Sequence, residues 1–483
     1  MEGQSHILHR IPSFDSGMVS AYPISIIPQE LEGSVGLTSR LYNVDFGRLP
    51  GQISKRPGVS ETLSPAGEAI LGLKEYKRTD SGEKYILQAN NDKVQFWDGT
   101  SWNDIKTGQT PGTNYSFSVA QHLVDGVLLA VANYEDDSFL WDGSEVNTPV
   151  DMPKAKYLVE FRNRLIAAGI KDYPLRLDAA DPGFPTVWDP MEDGYSAFQT
   201  FVGASDGQDI TGLLALDDFL LIGKEKKLYG MFGTTTKDFA IFPVDFATGV
   251  GSHWSMESIR GDAYFVGNDG HIYKIRPGEQ LTRLSDPIKD LIDKVELDQL
   301  HKARAIVYKG DQYIVSLPLP EDKRLTLMLD TTEGRWTVWS VEFGEVTDTM
   351  GDEVLFSKPD GKDVLKLDST EYSDEGTPIE MEVISQGLHF GSIGIEKEIR
   401  TLFLRFRQTA EAITVLLEYR TSMTGSWCRP LRLPVEAGEG YTTFKIPIGA
   451  TNCREFQFKI ANVEDADLIL LGADITYTVK EVE

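Results

Sequence analysis

The chain has 483 residues, 74 of them acidic and 47 basic, for a formal net charge of −27. That length can bury a large core in more than one domain, while the acid excess opposes phosphate binding, which needs Lys and Arg to displace counterions. No apolar run approaches the roughly 20 residues of a membrane helix, and no basic-then-apolar leader opens the chain, so neither an anchor nor a signal peptide is expected.

Residues 1–60 carry five acidic and five basic side chains and are electrically neutral. Pro12, Pro23, Pro28 and Pro50 interrupt short apolar runs at 19–22 and 24–27, and residues 40–47 alternate in part before a glycine turn. A segment this irregular cannot bury itself. It is expected to lie extended along the main domain or a neighbouring subunit, with a flexible leader as the alternative. Residues 53–58 read as a strand running into a turn, with Lys55 and Arg56 solvated or paired.

From 61 to 375 a loose recurrence dominates. Short apolar strands start at Lys84, Val127, Arg164, Phe219, Ala263, Gln312 and Glu353, at intervals of 43, 37, 55, 44, 49 and 41 residues. Each is followed by a Gly/Asp turn, and often by an aromatic residue. Periods of this size match one blade of a β-propeller, which predicts a propeller-like domain of six or seven blades.

The early units share a signature. Phe96-Trp97-Asp98-Gly99 and Leu140-Trp141-Asp142-Gly143 place their tryptophans 44 residues apart, and Trp188 follows 47 residues later. Tyr229 and Tyr273 occupy comparable places further on. A large aromatic on an outer strand can cover the small core between adjacent blades, so these five are expected as blade-packing residues. One interruption reads as a helix: Asp286-Pro287 precedes Ile288, Leu291, Ile292 and Val295 at amphipathic spacing.

Beyond residue 376 the strands lengthen and alternate. Leu402, Leu404 and Phe406 face one way, Arg405 and Arg407 the other. Five or six such strands predict a C-terminal β-sandwich, residues 376–483. Its net charge is −4, so the middle of the chain holds −23. The only cysteines, Cys428 and Cys453, flank one apparent hairpin and are expected reduced, with pairing as the alternative.

Signatures of chemistry are sparse. The seven histidines form no HExxH helix, and two cysteines make no thiolate cluster. There is neither a GxGxxG fingerprint nor a phosphate loop. The GxSxG match at 203–207 precedes an apolar run that reads as strand, not the helix a nucleophile elbow needs. Glu135-Asp136-Asp137 reads as a solvated turn. Asp217, Asp218, Asp269, Asp352 and Glu353 lie beside strands and could in principle pair as glycosidase carboxylates, yet chance pairs are expected among so many acids. No catalytic residue, cofactor or metal is expected. Short cationic runs such as Lys224-Glu225-Lys226-Lys227 make no nucleic-acid strip.

The chain resembles the tail hub or nozzle proteins of short-tailed bacteriophages, including the packaged-DNA stabilisation proteins. The resemblance lies in the passage from Asn43-Val44-Asp45-Phe46-Gly47 to Lys55-Arg56-Pro57-Gly58. It continues in the order of Tyr264-Phe265-Val266-Gly267-Asn268-Asp269-Gly270-His271-Ile272-Tyr273, Pro287-Ile288, Tyr313-Ile314-Val315-Ser316-Leu317-Pro318 and Leu327-Met328-Leu329-Asp330 with Trp336, and in the terminal β domain. It implies a virion protein, made in the bacterial host cytoplasm, that assembles as a homo-hexamer below the portal and its adaptor ring. Such a ring continues the channel for double-stranded DNA, without sequence-specific binding, and holds the genome in until ejection. Its partners would be the adaptor protein and a tail fibre, needle or plug. Tyr42, Phe46, Arg56 and Pro57 are the expected assembly segment. A receptor- or glycan-binding propeller and a glycoside hydrolase are the alternatives.

Overall fold

A computed structural model describes residues 7–12, 14, 16–21, 38–46, 51–63, 65, 67–78, 82–349, 353–391 and 394–480. Six blades are meanders of four consecutive antiparallel strands. Blade 1 runs Ile70–Lys77, Lys84–Asn90, Lys93–Trp97, Trp102–Thr107; blade 2 runs Ser116–His122, Gly126–Ala132, Phe139–Trp141, Val146–Asn147. Blade 3 is Ala155–Phe161, Arg164–Ile170, Tyr173–Ala179, Phe198–Phe201, and blade 4 is Ile210–Ala215, Leu220–Lys224, Leu228–Phe232, Ala240–Asp245. Blade 5 comprises Glu257–Ile259, Asp262–Val266, Ile272–Ile275, Thr282–Arg283, and blade 6 Arg304–Tyr308, Gln312–Pro318, Arg324–Asp330, Arg335–Trp339.

The circle closes with a composite sheet. Val346–Asp348, Val354–Phe356 and Val364–Asp368 form its inner three strands, and the fourth comes from near the N-terminus. The N-terminal strands are β1 (Ile7–Ile11), β2 (Thr38–Tyr42), β3 (Val44–Asp45), β4 (Ile53–Lys55) and β5 (Gly58–Leu63). β5 pairs antiparallel with Val364–Asp368, from Gly58 opposite Asp368 to Leu63 opposite Val364. The first strand of this seventh blade lies against those of blades 6 and 1. All seven strands of the sequence recurrence turn out to be the second strand of a blade. That strand is the most apolar because it is covered on both faces.

The tryptophan–Asp–Gly signature has a local cause. Trp97 and Trp141 each end the third strand of a blade, and the Asp that follows caps the turn to the fourth. Asp98 accepts the N–H groups of Thr100 and Ser101, and Asp142 those of Ser144 and Glu145, at 2.6–2.8 Å. Gly99 and Gly143 sit at φ +100° and +97°, where a side chain would be strained.

The sandwich is built on both ends of the chain. One sheet has the order β3, β4, Ile469–Val479, Lys397–Arg407, Tyr441–Cys453, with β1 also paired to Ile469–Val479. The other continues blade 6: beyond Arg335–Trp339 come β2, Met381–Ser385, Gln457–Asn462, Ile413–Arg420 and Leu431–Val435. Leu402, Leu404 and Phe406 point into the core between the sheets, as their alternation predicts. One apolar cluster runs without a break from this core through Trp336 and Trp339 to blades 5, 6 and 7. The boundary drawn at residue 60 falls inside β5, and the core crosses the one drawn at 375.

The expected helix is a chain of short turns: a 3-10 turn at Asp286–Ile288, one α turn at Lys289–Ile292 and a 3-10 stretch at Leu297–Lys302. Ile288, Ile292 and Val295 are buried on one side. On the other, Ser20 and Ala21 donate their N–H groups to the Pro287 carbonyl, and Ser20 Oγ donates to Asp290 at 2.5 Å. Residues 19–21 therefore run beside this element as extended chain, not as a strand; residues 22–27 lie outside the described residues.

Candidate functional site

Residues 43–46 and 53–58, within the passage that carries the resemblance, form a buried joint. Asn43, at φ +56°, donates its N–H to the Val338 carbonyl and its amide to the Glu380 carbonyl, both at 2.7 Å. Its side-chain oxygen accepts from Arg56 Nε at 2.9 Å and Ser340 N at 2.7 Å. Arg56 is fully buried and grips both carboxylate oxygens of Asp374, at 2.9 and 2.5 Å, and Ser340 Oγ at 2.7 Å. A bidentate guanidinium–carboxylate pair fixes orientation as well as distance. It locks the N-terminal segment to blade 6 and to the edge of the seventh blade.

The neighbouring residues extend the joint. Lys55 donates to the Asn462 side chain at 2.7 Å and the Glu464 carbonyl at 2.6 Å. Burial pushes its ammonium down to about 8, against the pull of Asp467, Asp465 and Glu464. Asp45 accepts from Lys309 at 2.7 Å and Gln312 at 2.9 Å, and the Trp339 indole donates to the Val44 carbonyl at 2.7 Å. Pro57 is buried, Phe46 is buried beneath Arg335 (4.7 Å to the ring centre), and Tyr42 is half-buried below Arg40. Three of the four positions expected to contact other subunits are thus consumed inside the monomer. Among them, Phe46 lies under Arg335, and Arg56 meets Ser340 and Asp374.

The blade aromatics divide. Trp141 is buried between blades 1 and 2 with Tyr76, Tyr85 and Phe96, at ring separations of 5.2–5.6 Å. Trp188 is buried between blades 2 and 3, but from the long loop between the third and fourth strands of blade 3, its indole donating to the Pro185 carbonyl at 2.8 Å. It is therefore not the positional equivalent of the other two. Tyr229 packs between blades 3 and 4 and Tyr273 between blades 4 and 5; their hydroxyls bond Asp206 at 3.0 Å and Asp269 at 2.7 Å. Trp97 is half-buried and meets Trp102 edge-on at 5.3 Å within its own blade.

The remaining candidates do not converge. Asp217 and Asp218 lie between the first two strands of blade 4, whereas Asp269 lies between the second and third of blade 5, at the opposite face. Asp218 pairs with Arg162, and Glu353 reaches Lys366 at 3.7 Å; Asp352 is outside the described residues. The GxSxG turn is pinned by a buried pair that sequence reasoning missed: Lys224 Nζ donates to Asp206 at 2.5 Å and to the Val202 carbonyl at 2.8 Å. Cys428 and Cys453 are both free thiols, and burial pushes Cys453 up to about 11.

The first strands of all seven blades line an axial channel of about 370 Å³. Its wall includes Leu73, Phe117, Val159, Leu214, Ile306 and Val346, with Lys74 and Glu257 as charges. At the end where these strands begin, Arg304 lies over Trp254 (4.6 Å to the ring centre) and is held by Glu345 at 2.6 Å. His253 Nδ1 accepts the Leu213 N–H at 3.3 Å, and burial followed by the Arg304 charge pushes the ring down to about 4. A pocket of about 300 Å³ opens beside Trp254 at this mouth. A larger cleft of about 990 Å³ lies between the 370–372 loop and the sandwich, lined by Glu371, Glu411, Glu439, Asp465, Asp467 and Arg407 among others.

No protein-family profile matches the chain, and no curated protein does. Among solved structures it is similar to the extracellular domain of the one-component system BT4673 of B. thetaiotaomicron (TM-score 0.44, 11% identity), over 74% of this chain and 45% of that one. It is also similar to the Cps50 (Swd1) β-propeller domain of Myceliophteria thermophila (TM-score 0.40, 11% identity), over 64% of this chain and 98% of the domain. A third likeness is to PorZ, a surface component of the type-IX secretion system of Porphyromonas gingivalis (TM-score 0.39, 12% identity), over 80% of this chain and 46% of PorZ. The chain thus spans under half the length of the first and third.

Proposed function

We propose that this chain is a structural virion protein: a tail hub or nozzle subunit that forms a ring below a portal–adaptor complex, retains packaged DNA and conducts it at ejection. The buried joint carries the reading. In the passage that resembles the nozzle family, Asn43, Lys55 and Arg56 fasten propeller to sandwich in one body. A conduit wall under the pressure of packaged DNA needs that rigidity.

Two further observations support it. The axial channel leaves only about 370 Å³ between the seven first strands, too little to pass a duplex, so any conduit is the lumen of a ring, between copies. The excess charge of the middle region repels phosphates, which suits a surface that DNA must slide past. Trp141 and Trp188 are buried between blades while Trp97 is half-buried, which counts against a receptor-reading rim built on the first two.

Electron microscopy of the purified protein, alone and with candidate adaptor rings, tests the proposal. A six-fold ring coaxial with the adaptor is the expected result. A protein that stays monomeric beside every adaptor offered overturns it.

A further inference from the structure

The pocket at the channel mouth is assembled from five separate parts of the chain. The loop before blade 2 gives Asn114, and the turn after its second strand gives Tyr134. Lys156 and Tyr157 open the first strand of blade 3, while Trp254 and His301 come from the segments before blades 5 and 6. Tyr134 sits at φ +72°, a left-handed conformation that is strained for an aromatic residue. It is held there by Asn133, whose side-chain oxygen accepts the N–H groups of Glu135 and Asp136 at 3.2 and 2.9 Å. Tyr157 is flanked by His253 and Trp254 at ring separations of 4.7 and 6.0 Å. The pocket therefore has aromatic walls that are fixed before anything binds.

Its polar lining comprises Thr113, Asn114, Asn133, Lys156 and His301. Lys156 is exposed, lies 4.6 Å from the Tyr134 ring centre and has no carboxylate partner among the described residues. The neighbouring cations differ: Lys154 pairs with Asp137 at 3.0 Å, and Lys171 with Glu135 at 2.5 Å. The Asn114 amide has no hydrogen-bond partner among the described residues, and no described carboxylate lines the pocket. In a chain of net charge −27, a mouth with a free ammonium, free amide and aromatic walls is matched to an anion that also has an apolar face and hydroxyls.

We infer that this pocket binds an acidic saccharide, the pyranose face lying against Trp254 and Tyr134, its carboxylate paired with Lys156 and a hydroxyl bonded to Asn114. Aromatic walls with a few convergent polar groups are the usual make-up of a small-ligand site, and 300 Å³ is enough for one sugar ring. Every atom it uses belongs to one chain, so the site stands or falls separately from ring assembly.

Saturation-transfer NMR on the full chain, with D-glucuronate and D-glucose as probes, tests it. The expected result is transfer to both sugars at millimolar concentration, with glucuronate bound more tightly. Lys156→Gln should weaken glucuronate about tenfold, the loss of one charge-assisted hydrogen bond, and leave glucose unchanged. Trp254→Ala should abolish transfer to both, with the near-ultraviolet melting curve establishing that the variant is folded. No transfer to either sugar with the folded wild type overturns the proposal, and so does glucuronate binding that Lys156→Gln does not weaken.

Discussion

Blades 1 to 4 and the region formed by blades 6 and 7 with the sandwich hold together in different ways. In the first region each inter-blade space has its own apolar cluster: Trp141 with Tyr76 between blades 1 and 2, Trp188 with Leu158 between 2 and 3, Tyr157 with Ile222 between 3 and 4. Each element there packs mainly on its sequence neighbours, as in repeat proteins. In the second, a single cluster joins residues as far apart as Ile11 and Tyr477, and ion pairs such as Arg56 to Asp374 span 318 positions. The repeats supply local stability, whereas the joint makes propeller and sandwich one body.

The comparison breaks first at Trp141. Trp141→Ala removes the largest side chain of the first cluster and should cost about 4–5 kcal/mol, from lost transfer energy plus cavity. Hydrogen exchange should show the lost protection confined to blades 1 and 2. Loss spread into the sandwich would mean that the clusters are not independent. Arg56→Ala should cost about 3–4 kcal/mol, because it strands the Asp374 carboxylate and leaves the Asn43 oxygen with the Ser340 N–H alone, the lower end following from the partial solvation of Asp374. Here protection should fall in the sandwich and the seventh blade together while blades 2 to 4 keep theirs. Uniform loss over the whole chain would contradict the division.

A third test uses pH. The folded state holds the Lys55 ammonium at about 8 against an ordinary value of 10.5. Between these values the unfolded chain binds more protons, so stability rises with pH; below about 8 both states are protonated and the burial penalty is present in full. The contribution reaches roughly 3 kcal/mol at most. Urea midpoints of the wild type should therefore climb, relative to Lys55→Met, as pH moves from 8 to 10.5. Parallel profiles would show that Lys55 does not titrate in the joint.

By itself the sequence determined the propeller, because its signals are local. An apolar second strand in every blade, the Asp and Gly that close the turn after Trp97 and Trp141, and the alternation around Leu402 all lie within a window of a few residues. The Pro287 turn with its buried Ile288 and Ile292 was legible for the same reason. The strand that closes the seventh blade, the burial of Lys55 and Arg56, and the aromatic mouth beside Trp254 were decided only by tertiary structure. β5 carries little apolar pattern of its own and is a strand because Val364–Asp368 leaves an edge for it. Lys55 and Arg56 look like solvated cations until Asn462, Asp374 and Ser340 arrive from the far end of the chain. Tyr134, Lys156, Trp254 and His301 span more than 160 residues and share a pocket only because the blades are arranged in a circle. Backbone preference acts over a few bonds, but a buried charge or a pocket depends on partners that only the closed ring brings near.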